Sequence, residues 1–358
     1  MAFLTDKELA SLWDVVSMKR VQADRAAAAI RPAIDLCTEY VEVTGAWTWL
    51  PVGCLSSPQS WPMLAATQAV VDRTPGLAEQ SGRGRCRIEG SANANKAGQP
   101  PLRRAAQLLG MALGAWSSWA DSVCWAETRV VLFAPEGVAQ DAWLDAVMSA
   151  WPDGMGANSI VSTPLSAEQW FDQCLSKSSG VKQFLLLSVN SRLSIPDCVT
   201  ADSAHPPGEC VSAIHVHRVA SSGQGAAGGL RLYPAKKTTH EFRDVQLRFD
   251  TRDLERVFHD LEEGTAVTAD SITGVVTDGA MTGNRFTQLV KFMGSELAAC
   301  DPAQQIVGVA ALAGDVGHSA TLLTQLAVAY LLAAQREGAV LILDRYRPDV
   351  TAGWVLVR

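Results

Sequence analysis

The stretch HSATLLTQLAVAYLLAAQREG, residues 318–338, holds no charged side chain from Ser319 to Gln335. Its apolar residues fall on every side of a 3.6-residue turn, which predicts a helix covered all round and closed by Gly338. Its 17 uncharged positions fall short of the ~20 apolar residues that a bilayer crossing requires, so the cover is protein. QQIVGVAA (304–311) before it, and AVLILD (339–344) and GWVLVR (353–358) after it, are predicted as strands.

Working upstream, SITGVVTD (271–278) is a strand and TRDLERVFHDLEE (251–263) a helix. DVQLRFD (244–250) is a strand, and 286–299 form a helix with Phe286, Leu289, Val290, Met293 and Leu297 on one face. The Gly-rich SSGQGAAGG (221–229) is a turn or linker without the spacing of a phosphate-cradling loop. Before it the same order runs once already. YVEVTGAWTWLPVGCLSS (40–57) is a strand broken at Gly45 and followed by an aromatic loop, and a helix covers about 101–122. TRVVLFAP (128–135), SIVSTP (159–164), KQFLLLSV (182–189) and GECVSAIHVHRV (208–219) are strands. DAWLDAVMSAW (141–151) and SAEQWFDQCLSK (166–177) are helices. Strands alternating with helices imply an α/β fold with parallel pairing and helices on the sheet faces.

The expected organisation is an N-terminal helical extension over 1–39, a first half over 40–229 and a second half over 230–358. The first half carries a long insertion around 73–104, rich in Pro, Gly, Ser, Asn and Arg. The 358 residues are 48% hydrophobic and 19% charged, a composition that folds. Lys and Arg total 30 against 37 for Asp and Glu, a net charge of −7 that argues against nucleic acid. Asp6, Glu8 and Asp14 interrupt the apolar run of a secretion signal, so a cytoplasmic location is expected. Eight cysteines, at 37, 54, 86, 124, 174, 198, 210 and 300, lack metal-ligand spacing and are expected as reduced thiols.

Two histidines, His215 and His217, share one strand face, but no third ligand stands at a supporting spacing, and neither metal nor cofactor is expected. Trp47, Trp49 and Trp61 fall in predicted loop and are either a partner surface or packing against the insertion. The arginines at 73, 83, 85, 87, 103 and 104 either grip an acidic partner or are solvated.

The duplicated order, with the third helix of each half apolar enough to be covered, resembles the thiolase-like superfamily of thiolases and β-ketoacyl synthases. YVEVTGAWTWLPVG is similar to the opening strand and loop of the condensing enzymes. PPGECVSAIHVHR is similar to their Gly-Glu strand, and LAGDVGHSATLLTQLAVAYLLAAQREG to their Gly-His segment and following helix. The resemblance implies two similar βαβαβαββ halves in a layered αβαβα architecture, self-associated through a sheet edge. It also implies a nucleophilic Cys at the head of the first half's third helix. Here that turn reads Ser162-Thr163-Pro164-Leu165-Ser166, and Pro164 or its neighbour takes the position; Cys174 lies about two turns further on. Asp278 replaces the family's first His, Ala313 its Lys, and only His318 matches, with Ser319 able to cap the helix that follows. Without a residue to hold the acyl group, the expected function is non-catalytic protein binding. The segment 314–343 is similar to that of type VI secretion accessory proteins, which suggests an adaptor or assembly factor for a secretion component or effector. The alternatives are a divergent condensing or acyl-transfer enzyme using His318, and a silent partner subunit of the chain-length-factor kind.

Overall fold

Period-2 burial builds the strands. In β5 (Thr128–Phe133), Val130 and Leu132 face one core while Val131 and Phe133 face another. In β13 (Ala339–Asp344), Leu341 and Leu343 oppose Val340 and Ile342 in the same way. Both faces of these strands are apolar because helices cover both. The computed structural model describes residues 40–57, 59–69, 71–72, 85–88, 100–116, 120–157, 159–176, 182–194, 205–219, 229–239, 250–279, 283–335, 337–347 and 349–358. The expected 1–39 extension and nearly all of the 73–100, 221–229 and 244–250 segments lie outside them.

The first set of strands is β1 (Val41–Leu50), β5, β6 (Ser159–Thr163), β7 (Gln183–Ser191) and β8 (Glu209–Arg218), with β2 (Gly53–Leu55) folded back on β1. Their spatial order is β6-β5-β7-β8-β1, with β5 parallel to β6 and β7, and β8 antiparallel to β7 and β1. The second set is β9 (Leu230–Leu232), β10 (Lys236–Thr239), β11 (Ile272–Thr277), β12 (Ile306–Gly308), β13 and β14 (Val350–Val357). Its order, β12-β11-β13-β14 with β9 and β10 beside β14, repeats the first, and β9 joins β1 to make one mixed sheet. A short pair, β3 (Val71–Asp72) and β4 (Arg85–Cys86), stands apart.

The helices are α1 (Trp61–Ala66), α2 (Pro101–Ala115), α3 (Gln140–Ala150), α4 (Ala167–Ser176), α5 (Arg252–Gly264), α6 (Gly283–Glu296), α7 (Pro302–Gln305), α8 (Val309–Ala313) and α9 (His318–Ala333). One outer core joins α2 and α3 to the first strand set, and another joins α5 and α6 to the second. The central core gathers α9 and α4 with the inner faces of both sets, which gives the five-layered αβαβα arrangement. In α9, 13 residues are buried with no exposed face, as its sequence requires. Each buried Leu there contributes about 1.5–3 kcal/mol.

Several expectations are corrected. Gly45 does not break β1; the ladder to β8 slips between Val43 and Gly45 and continues, so Trp47 and Trp49 are strand residues. Helix α4 is covered on one side only: Ala167, Trp170 and Phe171 are buried, while Gln169 and Asp172 face outward. The strand read over 304–311 shrinks to β12. Asp301 Oδ1 accepts from Ala303 N at 2.9 Å and Pro302 opens α7, a cap that claims Gln304 and Gln305 for helix. Among the described residues no helix is long and apolar enough to cross a membrane.

Candidate functional site

The loops that follow β5, β6, β7 and β13 meet the head of α9, at the carboxyl ends of the parallel strands where open α/β sheets form clefts. They enclose a cavity of about 440 Å³ whose walls include Thr163, Pro164, Glu136, Arg192, His318 and Tyr346. Pro164 and His318 are thus brought together, as residues far apart in sequence. Among the described residues that line the cavity there is no cysteine. Cys174 is half-buried against the central core, and burial raises its thiol to about 11.

The turn at Pro164 closes on itself. Thr163 Oγ1 accepts from Leu165 N at 3.2 Å. Ser166 Oγ accepts from Gln169 N at 3.2 Å, and Gln169 Oε1 accepts from Ser166 N at 3.1 Å, a capping box at the head of α4. The first-turn N–H of Gln169, which would otherwise attract an anion, therefore already has its acceptor.

His318 opens α9 after Gly317, whose φ of 81° is the left-handed region glycine tolerates. A Cβ at Gly317 would come within 2.7 Å of Glu136 Oε2 and 2.9 Å of Asn190 Nδ2. Gly317, the N-cap residue, has no side chain to cap this helix, and Ser319, which was able to cap it, lines the cavity. Burial lowers the imidazole's affinity for a proton. Its ring lies 5.4 Å from that of Tyr346, and its Nε2 is 3.8 Å from Asp344 Oδ2.

Charged groups in the wall and behind it are matched. Arg192, its side chain 2% exposed, donates to Asp315 and to Tyr346 Oη at 3.0 Å, and its Nε is 3.2 Å from Glu136. Tyr346 Oη donates to Asp315 Oδ1 at 3.1 Å. Burial and the Asp315 carboxylate hold that phenol protonated. Deeper, Arg104 grips Glu209 through two 2.6 Å bonds, and Ser191 Oγ and Ile88 N complete the carboxylate's partners.

Asp278 is buried at the end of β11. Its Oδ1 accepts from Thr277 Oγ1 at 3.1 Å and from Arg345 N at 3.2 Å, so it holds the 344–346 turn and is not part of the cavity wall. Ala313 is fully buried in α8, where its carbonyl oxygen would lie 1.8 Å from a Cβ on Gly208. It too lies outside the lining. Asp344, Tyr346, Arg192 and Asp315 were not singled out from sequence. The available signal was their position, since Asp344 and Arg192 each terminate or follow a buried strand.

Trp47, Trp49 and Trp61, read in loop as either a partner surface or packing against the insertion, stand instead in β1 and at the start of α1. Trp47 and Trp61 are 1% exposed, and Trp49 is half-buried, edge-on to Trp47. Trp47 meets Trp116, Trp116 meets Trp151 and Trp151 meets Trp125, all edge-to-face. Trp61 fills the space that Gly274 leaves. Arg104, expected on a solvated or partner-gripping loop, is a buried helical residue. His215 is buried with Nδ1 2.8 Å from Thr44 Oγ1, and burial lowers it to about 4. Among the described residues no three His, Cys, Asp or Glu side chains are grouped to hold a metal ion.

No family model and no curated protein matches the sequence. Solved structures do match. The ishigamide ketosynthase/chain length factor superposes with a TM-score of 0.55 at 16% identity, covering 88% of this chain and 99% of its own. The ketosynthase from module 6 of the bacillaene synthase of Bacillus subtilis 168 gives 0.55 at 12% identity over 89% and 70%. A chain of the complex between a type II polyketide acyl-carrier protein and its ketosynthase gives 0.50 at 13% identity over 89% and 99%. With its repeated strand order and central helix α9, the chain has the thiolase-like fold of the ketosynthases.

Proposed function

We propose that this protein is a partner subunit of a condensing system, of the chain-length-factor kind, which presents a ketosynthase-shaped cavity without taking up an acyl group itself. One observation carries the reading: Pro164 lines the same cavity as His318, in the turn where the resemblance places a thiol. A proline nitrogen within a peptide is no nucleophile, and the capping box beside it takes up the Gln169 N–H that would help stabilise a thiolate. The similar structures support the reading, since they include a ketosynthase/chain length factor and a ketosynthase held by a carrier protein. An adaptor role in type VI secretion draws no support from them. The divergent acyl-transfer reading rests on His318 alone.

Affinity capture of the full chain from its source cell, followed by size-exclusion chromatography, tests this. The expected result is a stoichiometric complex with a ketosynthase that retains its active-site cysteine. A chain recovered only with itself, or with a secretion-spike protein, would overturn it.

A further inference from the structure

Two buried carboxylates stand at the ends of neighbouring parallel strands, Asp278 after β11 and Asp344 closing β13, with exposures of 8% and 6%. The turn between Asp344 and Tyr346 binds both: Arg345 N donates to Asp278 Oδ1 at 3.2 Å, and Tyr346 N donates to Asp344 Oδ1 at 2.8 Å. Asp344 Oδ2 is left facing His318 Nε2 at 3.8 Å. A closing movement of about 1 Å brings that pair to hydrogen-bond length.

The charged groups facing Asp344 come from several elements. Asp278 stands at the end of β11, Arg285 on α6, Glu168 on α4 and His318 on α9. Arg345 follows it in the chain, and Arg347 acts on His318 from the same turn. Arg285 Nη1 lies 3.9 Å from Asp278 Oδ2. Asp278 thus has a guanidinium within 3.9 Å, while Asp344 has the His318 imidazole at 3.8 Å.

We infer that Asp344 is a proton-controlled positioning residue that sets which ring nitrogen of His318 carries hydrogen. With Asp344 protonated, its O–H donates to Nε2, and the imidazole proton resides on Nδ1. When the carboxyl proton leaves to solvent, the ring proton moves to Nε2 and donates to the carboxylate, leaving Nδ1 as an acceptor. The imidazole is neutral in both states, so one exchange with solvent inverts what this cavity residue offers a ligand. Desolvation and Asp278 raise Asp344 to about 7, while burial lowers His318, placing the inversion near neutral pH. The inference does not depend on the partner-subunit reading, because it concerns the free chain.

The test is a pH titration of the full chain labelled with ¹⁵N-histidine, in which long-range ¹H–¹⁵N spectra identify each tautomer and His318→Gln assigns the signal. The expected result is an Nδ1–H form below about 7 that gives way to Nε2–H above it. Asp344→Asn should hold one tautomer throughout. A wild-type tautomer that never changes would overturn the inference, as would an inversion that survives in Asp344→Asn. The wild-type titration decides the matter even where the variant does not fold.

Discussion

The residue with the most at stake for folding is Glu209, fully buried and gripped by Arg104, with Ser191 Oγ and Ile88 N on its remaining lone pairs. Removing one partner strands a buried guanidinium, so Glu209→Ala is expected to cost about 3–5 kcal/mol; the midpoint of chemical denaturation measures it. Asp344 makes a pH-dependent contribution of defined sign. The unfolded carboxyl loses its proton near 3.8, whereas the folded one keeps it to about 7. The folded state binds more protons across that window, so the contribution from Asp344 falls as pH rises through it. Asp344→Asn, with no proton to lose, should gain stability relative to the wild type between about pH 4 and 7. Denaturation curves at several pH values check this, and a constant difference would contradict it. At this scale sequence and structure agree unevenly. Pro164 and His318 were placed through the resemblance, and both line the same cavity. Asp344, Arg192 and Tyr346 were not, because their chemistry exists only where three distant loops meet.

Among the elements, α9 was the plainest in the sequence, since a charge-free run without an apolar stripe leaves no side for water. It packs against strands of both sets, and Leu326 at its centre is 1% exposed. Leu326→Ala should destabilise the protein by about 2–5 kcal/mol, seen as a lower thermal midpoint. Helix α4 was misjudged because its position in the repeat suggested full burial, while Glu168, Gln169 and Asp172 in its own sequence already marked a wet side. Its capping box is local, so Ser166→Ala should cost about 0.5–2 kcal/mol and fray only its first turn, read by amide exchange. Strand β1 departs from its sequence pattern for a different reason. Pro51 and Gly53 suggested a loop, but they make the tight return to β2, while the tryptophans before them alternate as strand residues do.

For the whole molecule, the duplicated strand order follows from the pattern of elements, whereas the joining of both sets through β1 and β9 does not. That seam depends on Leu230–Leu232, three residues after a glycine-rich segment, too short to be distinguished by periodicity. The cavity is formed where the carboxyl ends of strands from both sets converge on α9, and the proposed function turns on Pro164 in its wall. Incubation of the full chain with a reactive acyl thioester, followed by intact-mass measurement beside a competent ketosynthase, tests this claim most directly. The account predicts an unchanged mass for this chain and acylation of the control. A stable acyl adduct on it, whether at Cys174 or at any residue beside His318, would contradict the account.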